Sequence, residues 1–152
     1  MTTDDPVQNV PSGAFAESPS AASPDATSTF IIALYNNGIL QGYLGIDDGG
    51  WAVLVSDLSS AARLIWYPYN SVNYIQVTSG NWQNYYMSVG TAPTRNGYVG
   101  FYGWWGAAGW SFDGTHLKSA VNQQHMSIYS IDNAYIYAWD AYTVLDVKLQ
   151  ST

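Results

Sequence analysis

The side chains that could do acid–base or metal chemistry are few. They are His116 and His125, ten aspartates and one glutamate, Glu17, and there is no cysteine. The histidines stand nine positions apart, each opening a short apolar run, where an imidazole more often serves structure than a metal ion. Asp47 and Asp48 precede two glycines and could offer carboxylate oxygens to calcium. That spacing matches no calcium loop, and a hairpin turn asks for the same letters. Paired carboxylates for glycoside cleavage would have to come from Asp47, Asp48, Asp57, Asp113, Asp132, Asp140 and Asp146. Asp48, Asp113 and Asp132 already sit where turns want aspartate. No nucleophile elbow and no phosphate-cradling glycine loop is present. The expectation is a protein that is not an enzyme and holds neither cofactor nor metal.

The chemistry this chain carries in surplus is aromatic: seven Trp, thirteen Tyr and four Phe. It is densest in 96–114, NGYVGFYGWWGAAGWSFDG, which opens on Asn-Gly, closes on Asp-Gly and contains no Lys, Arg or Glu. Some rings fill a core, and Trp66, Trp110 and one ring from each third strand are expected there. Not all can be inside, because neighbours in a strand face opposite ways. Tyr102 beside Phe101, Trp104 beside Trp105 and Trp139 beside Ala138 should each send a large ring outward. An outward Trp or Tyr near Asn or Asp offers an apolar face to the C–H side of a sugar and polar groups to its hydroxyls. The candidate carbohydrate-binding residues are therefore Asn96 near Tyr102, with Trp104 and Trp105, and Asp132, Asn133 and Asp140 near Trp139. The same rings would also suit a protein–protein interface.

Charge narrows the partners. The net charge is -7, and the only bases are Arg63, Arg95, Lys118 and Lys148. Such a chain is unsuited to nucleic acid or to anionic membrane surfaces. Neutral glycans or glycoproteins are the expected partners, and a homo-oligomer is compatible with the composition. The start, MTTDDPVQ, lacks the apolar run of a signal peptide, and no run approaches a membrane span. With no cysteine, the expected location is the cytoplasm, or outside the cell by a route needing no signal peptide.

These residues must be positioned by strands. Residues 1–28 read as a flexible acidic leader rich in Ser, Ala and Pro. From 29 to 152 a single domain follows. Its short Ile, Val, Leu, Tyr and Trp runs are broken by NNG, DDGG, TSGN, TRNG, SFDG and IDN, the punctuation of an all-β chain. One turn of helix over 59–65 is the best helical candidate. The runs fall into three sets of four, over about 29–72, 73–114 and 115–152. First strands begin at Phe30, Asn73 and His116, and second strands at Tyr43, Tyr86 and His125. Third strands begin at Trp51, Tyr98 and Tyr135, and fourth strands at Arg63, Gly109 and Val144. Leu44 and Met87 stand 43 positions apart, as do Ile32 and Ile75.

Three four-stranded units of this length resemble the β-trefoil, with a β-sandwich or jelly roll as the competing fold. Many β-trefoils are lectins similar to the ricin B chain, so the resemblance implies sugar binding. That family places an aromatic after the third strand's apolar pair; here those positions hold Ser56, Tyr102 and Trp139. Its second-strand Asp is replaced by Gly45, Ser88 and Ser127, and its Gln-x-Trp is absent. The galactose specificity therefore does not carry over. The chain more closely resembles small cysteine-free fungal β-trefoil lectins. β-Trefoils also include protease inhibitors, so a loop-presenting inhibitor or partner-binding subunit, using 91–96 stiffened by Pro93 and 103–108, is the alternative function.

Overall fold

The computed structural model describes residues 28–130 and 133–152. The expectations for the leader and for Asp132 lie outside the described residues, apart from Ser28. The described chain is antiparallel β throughout, with two single 3-10 turns, Leu58–Ser60 and Trp104–Gly106. No described helix is long and apolar enough to cross a membrane.

Thirteen strands occupy the twelve expected places: β1 Phe30–Asn36, β2 Ile39–Ile46, β3 Ala52–Val55, β4 Leu64–Tyr69, β5 Val72–Val77, β6 Tyr86–Val89, β7 Val99–Tyr102, β8 Trp110–Phe112, β9 Leu117–Ser119, β10 Met126–Ser130, β11 Asn133–Ala138, β12 Thr143–Val144 and β13 Asp146–Ser151. The last place is split in two, because the backbone breaks at Leu145. The helical turn expected over 59–65 is shorter and earlier. The turn letters act as their chemistry requires. Asn37 and Gly38, with φ 52° and 79°, make the tight β1–β2 turn. Asn70 and Ser71, with φ 50° and 66°, make the equally tight β4–β5 turn.

The pairings follow two patterns. In the first, β1 meets β4 at Phe30 and Leu64, and β4 lies along β5 over six residue pairs. Tyr74 of β5 bridges Gly109 beside β8, and β8 pairs with β9. The Val147 N–H of β13 donates to the Thr115 carbonyl just before β9, and β13 lies along β1 over six pairs. In the second, the hairpins β2–β3, β6–β7 and β10–β11 touch one another pairwise, through Trp51 and Gly100, Tyr98 and Tyr137, and Val53 and Tyr135.

The core draws equivalent residues from each set of strands. Ile32, Ile75 and Leu117 of the first strands are wholly buried, as are Leu44, Met87 and Met126 of the second. Leu64, Trp110 and Val147 come from the fourth. Full burial of one such side chain contributes about 1.5–3 kcal/mol. The Trp110 indole N–H donates to the Met87 carbonyl at 3.0 Å, so this ring is buried with its polar atom satisfied. Trp66 is half-buried against the same core. Where the three hairpins meet, the Arg95 guanidinium lies 5.3, 5.0 and 5.9 Å from the ring centres of Trp51, Tyr98 and Tyr135. One cation thus holds rings from all three hairpins together.

Candidate functional site

The expected site residues do not gather into two clusters. Tyr102 does not face outward; it is only 2% exposed. Every residue of β7 is buried, because the strand is covered on both faces. Phe101 and Val99 point into the core. On the other side, Trp51 stands edge-on to Tyr102 with ring centres 6.3 Å apart. Gly106 is packed so close that a Cβ there would lie 2.7 Å from the Tyr102 ring. Alternation sets the side a ring takes, but not whether that side is open to water.

Trp104 and Trp105 separate as expected of neighbours. Trp104 is half-buried among Tyr67, Tyr69, Tyr74 and Tyr86, with ring centres 4.9–6.4 Å away. Burial raises the phenols of Tyr67, Tyr74 and Tyr86 above their ordinary value. Trp105 is 78% exposed and is the outward ring of the pair.

Of the grouping expected around Trp139, Asp140 stays beside it and Asn133 is drawn away. Asn133 opens β11 and Trp139 follows its other end. With a rise of about 3.3 Å per residue, the two stand roughly 20 Å apart. Asn133 is also occupied, its amide donating to the Tyr137 hydroxyl at 3.0 Å and its oxygen accepting from the Tyr135 N–H at 3.1 Å. Trp139 is half-buried, and a Cβ on Gly97 would come within 3.1 Å of its ring. The turn carrying exposed Asn96 therefore leads onto Trp139. Asp140 accepts the His125 backbone N–H at 2.7 Å and lies 3.0 Å from the same residue's Nδ1. The second-strand position at Ser127 is closed as well. Ser127 is buried, accepts the Trp139 N–H at 3.1 Å and donates to the Trp139 carbonyl at 2.9 Å.

The histidines come together, with ring centres 5.8 Å apart. His116 Nε2 lies 3.3 Å from Asp146. Among the described residues no three His, Asp or Glu side chains are arranged to hold a metal ion.

Beside Trp105 lies a hollow of about 210 Å³. Ser88 and Val89 of β6, Thr91 beyond it, Tyr102 at the end of β7, Gly106 and Val121 also line it. Two expected residues, Tyr102 and Trp105, meet here, one as floor and one as rim. Ser88, Thr91 and Val121 were not foreseen. They converge from two loops and a strand, and no local pattern in the sequence announces that. The hollow is below the roughly 300–1,000 Å³ of pockets that enclose a drug-sized ligand. Its lining combines the Trp105 indole with the hydroxyl groups of Ser88 and Thr91. No protein-family model, curated protein or solved structure matches this chain.

Proposed function

We propose that this chain is a non-enzymatic carbohydrate-binding protein on a β-trefoil scaffold. The order of pairing supports the scaffold. The sequence β1, β4, β5, β8, β9, β13 returns to β1, which is how a six-stranded barrel closes. The other three hairpins each touch both of the others, as around a threefold axis. A two-layered sandwich or jelly roll would not join each hairpin to both of its counterparts.

The observation that carries the function is Trp105. A large indole, 78% exposed, borders a hollow that otherwise presents hydroxyl and aliphatic groups. An isolated pyranose needs an apolar face for its C–H side and neutral hydrogen-bonding groups at its edge. Val89 and Val121 offer apolar contact to a methyl or acetamido substituent. The acidic, cation-poor surface favours neutral sugars over anionic ones.

A glycan array followed by monosaccharide titration tests this reading. Trp105→Ala should weaken binding by tenfold or more, as expected for losing one ring's contact area. It should leave unfolding stability within about 0.5 kcal/mol, because the ring is exposed. If folded protein engages no sugar class at millimolar concentration, the reading is wrong. If Trp105 is instead found sealed between two copies in solution, the partner-binding alternative takes its place.

A further inference from the structure

The two histidines stand together because two strands meet. Lys118 of β9 pairs with His125, the residue before β10. His116 lies two residues before Lys118, so it falls on the same face, diagonally across from His125. The ring centres are 5.8 Å apart, with the planes at 72°. Both rings line one hollow of about 150 Å³, and their side chains are 36% and 32% exposed, so solvent reaches them.

Each imidazole has an aspartate on one side. His125 Nδ1 lies 3.0 Å from Asp140 Oδ1, which also accepts the His125 backbone N–H. His116 Nε2 lies 3.3 Å from Asp146 Oδ1, nearer than its Nδ1 comes to Asp113 Oδ2, at 3.8 Å. A neutral imidazole keeps its one proton on the nitrogen facing the closer carboxylate, and its other nitrogen carries a lone pair. The two rings therefore present two lone pairs, on His125 Nε2 and His116 Nδ1. A carboxylate on the far nitrogen is the usual support of a metal-bound histidine. With metal–nitrogen distances of about 2.1 Å, two imidazoles on one ion hold their ring centres roughly 5–6 Å apart. The observed spacing lies in that range. Charge agrees: Asp113, Asp140 and Asp146 stand beside the rings, against one ammonium, Lys118, in the hollow.

We propose that His116 and His125 bind one divalent transition-metal ion of the zinc, nickel or copper class. The inference is independent of the carbohydrate reading. The chain supplies two nitrogens, and water completes the coordination. Asp113 spends Oδ1 on two backbone N–H groups, which leaves Oδ2 to accept a hydrogen bond from a metal-bound water. Imidazole nitrogen selects these ions over calcium and magnesium, which take oxygen ligands. Two protein ligands make an exchangeable site, unlike the closed four-ligand sites of structural zinc. The ion joins the turn between β8 and β9 to the start of β10, which belongs to a different sheet.

The test uses the full chain, stripped with EDTA and dialysed. Zinc chloride is titrated while the imidazole C–H signals are followed by NMR, assigned through His116→Gln and His125→Gln. Both signals should shift along one curve that saturates at one zinc per chain below about 1 mM. Calcium chloride at the same concentration should move neither. By calorimetry, each glutamine variant should bind zinc at least tenfold more weakly. Asp140→Asn keeps an oxygen for the His125 backbone N–H but removes the charge behind the ring, and it should weaken zinc about tenfold. Signals that do not move, that follow separate curves, or that respond equally to calcium overturn the site. So does zinc affinity that survives the loss of either histidine. Unchanged affinity in Asp140→Asn overturns the supporting role given to that carboxylate.

Discussion

Asp113 ends the β8 strand and holds the next turn by itself. Its Oδ1 accepts the backbone N–H of Thr115 at 2.8 Å and of His116 at 2.6 Å. Both bonds favour the ionised carboxylate, so the His116 and Thr115 N–H groups, with the nearby His116 ring, keep Asp113 below the ordinary aspartate range. The sign of the linkage follows. A carboxyl whose folded-state value is lowered stabilises the fold fully above its unfolded value, near pH 4, and loses that contribution as pH falls through the folded value. Melting temperatures of the protein and of Asp113→Ala, compared between about pH 2 and 6, should therefore differ most at the upper end and converge with acid. A constant gap across that range would mean that the carboxylate form does not matter. Asp113 was legible as a turn former because Asp-Gly has a specific backbone use. The role of Asp140 was not, because its partner His125 lies fifteen residues earlier and only the fold brings them to 2.7 Å.

At the scale of one element, the turn Trp104–Gly106 sends two adjacent indoles to opposite fates. Trp104 fills the space among four tyrosines from β4, β5 and β6, whereas Trp105 touches solvent over most of its surface. Trp104→Ala should cost about 2–3 kcal/mol by emptying that half-buried space, measurable as a lowered denaturation midpoint. Equal effects of alanine at 104 and 105 would contradict the packing. The doublet shows why strands were easier to read than exposure. Turn letters and alternating apolar residues are local, so the strand places emerged in order. Whether a ring on the far side of a strand is wet depends on what the rest of the chain lays over it. For Tyr102 the cover comes from Trp51, half a domain earlier, and from Gly106. For the hollow beside Trp105, Ser88 is an ordinary strand residue and Thr91 an ordinary loop residue until separate segments converge.

For the molecule as a whole, the contact that joins beginning to end is β13 along β1. Six residue pairs, Phe30 with Ser151 through Tyr35 with Asp146, place the last strand beside the first, and the Thr152 N–H reaches the Thr29 carbonyl at 3.2 Å. The strand also brings Val147 into the core and bonds to Thr115 before β9, so it ties the end of the described chain to its start and to its interior. Without it, β1 would expose a row of unpaired backbone groups, and that edge carries none of the charges that keep exposed edges from pairing with other chains. A chain ending at 145 should lose cooperative thermal unfolding and associate through that edge. The opposite manipulation separates pairing from chain order. With the ends adjacent, a short linker from 152 to 29 and new termini between Gly114 and Thr115 would keep every strand pair. Gly114 sits in an open turn at φ 96°, and a Cβ placed on it would meet no heavy atom within 4 Å. The permuted protein should melt in one cooperative step and keep the circular dichroism of the original. If the truncated chain melts as the full chain does, or the permutant fails to fold, β13 is not what holds the strands together.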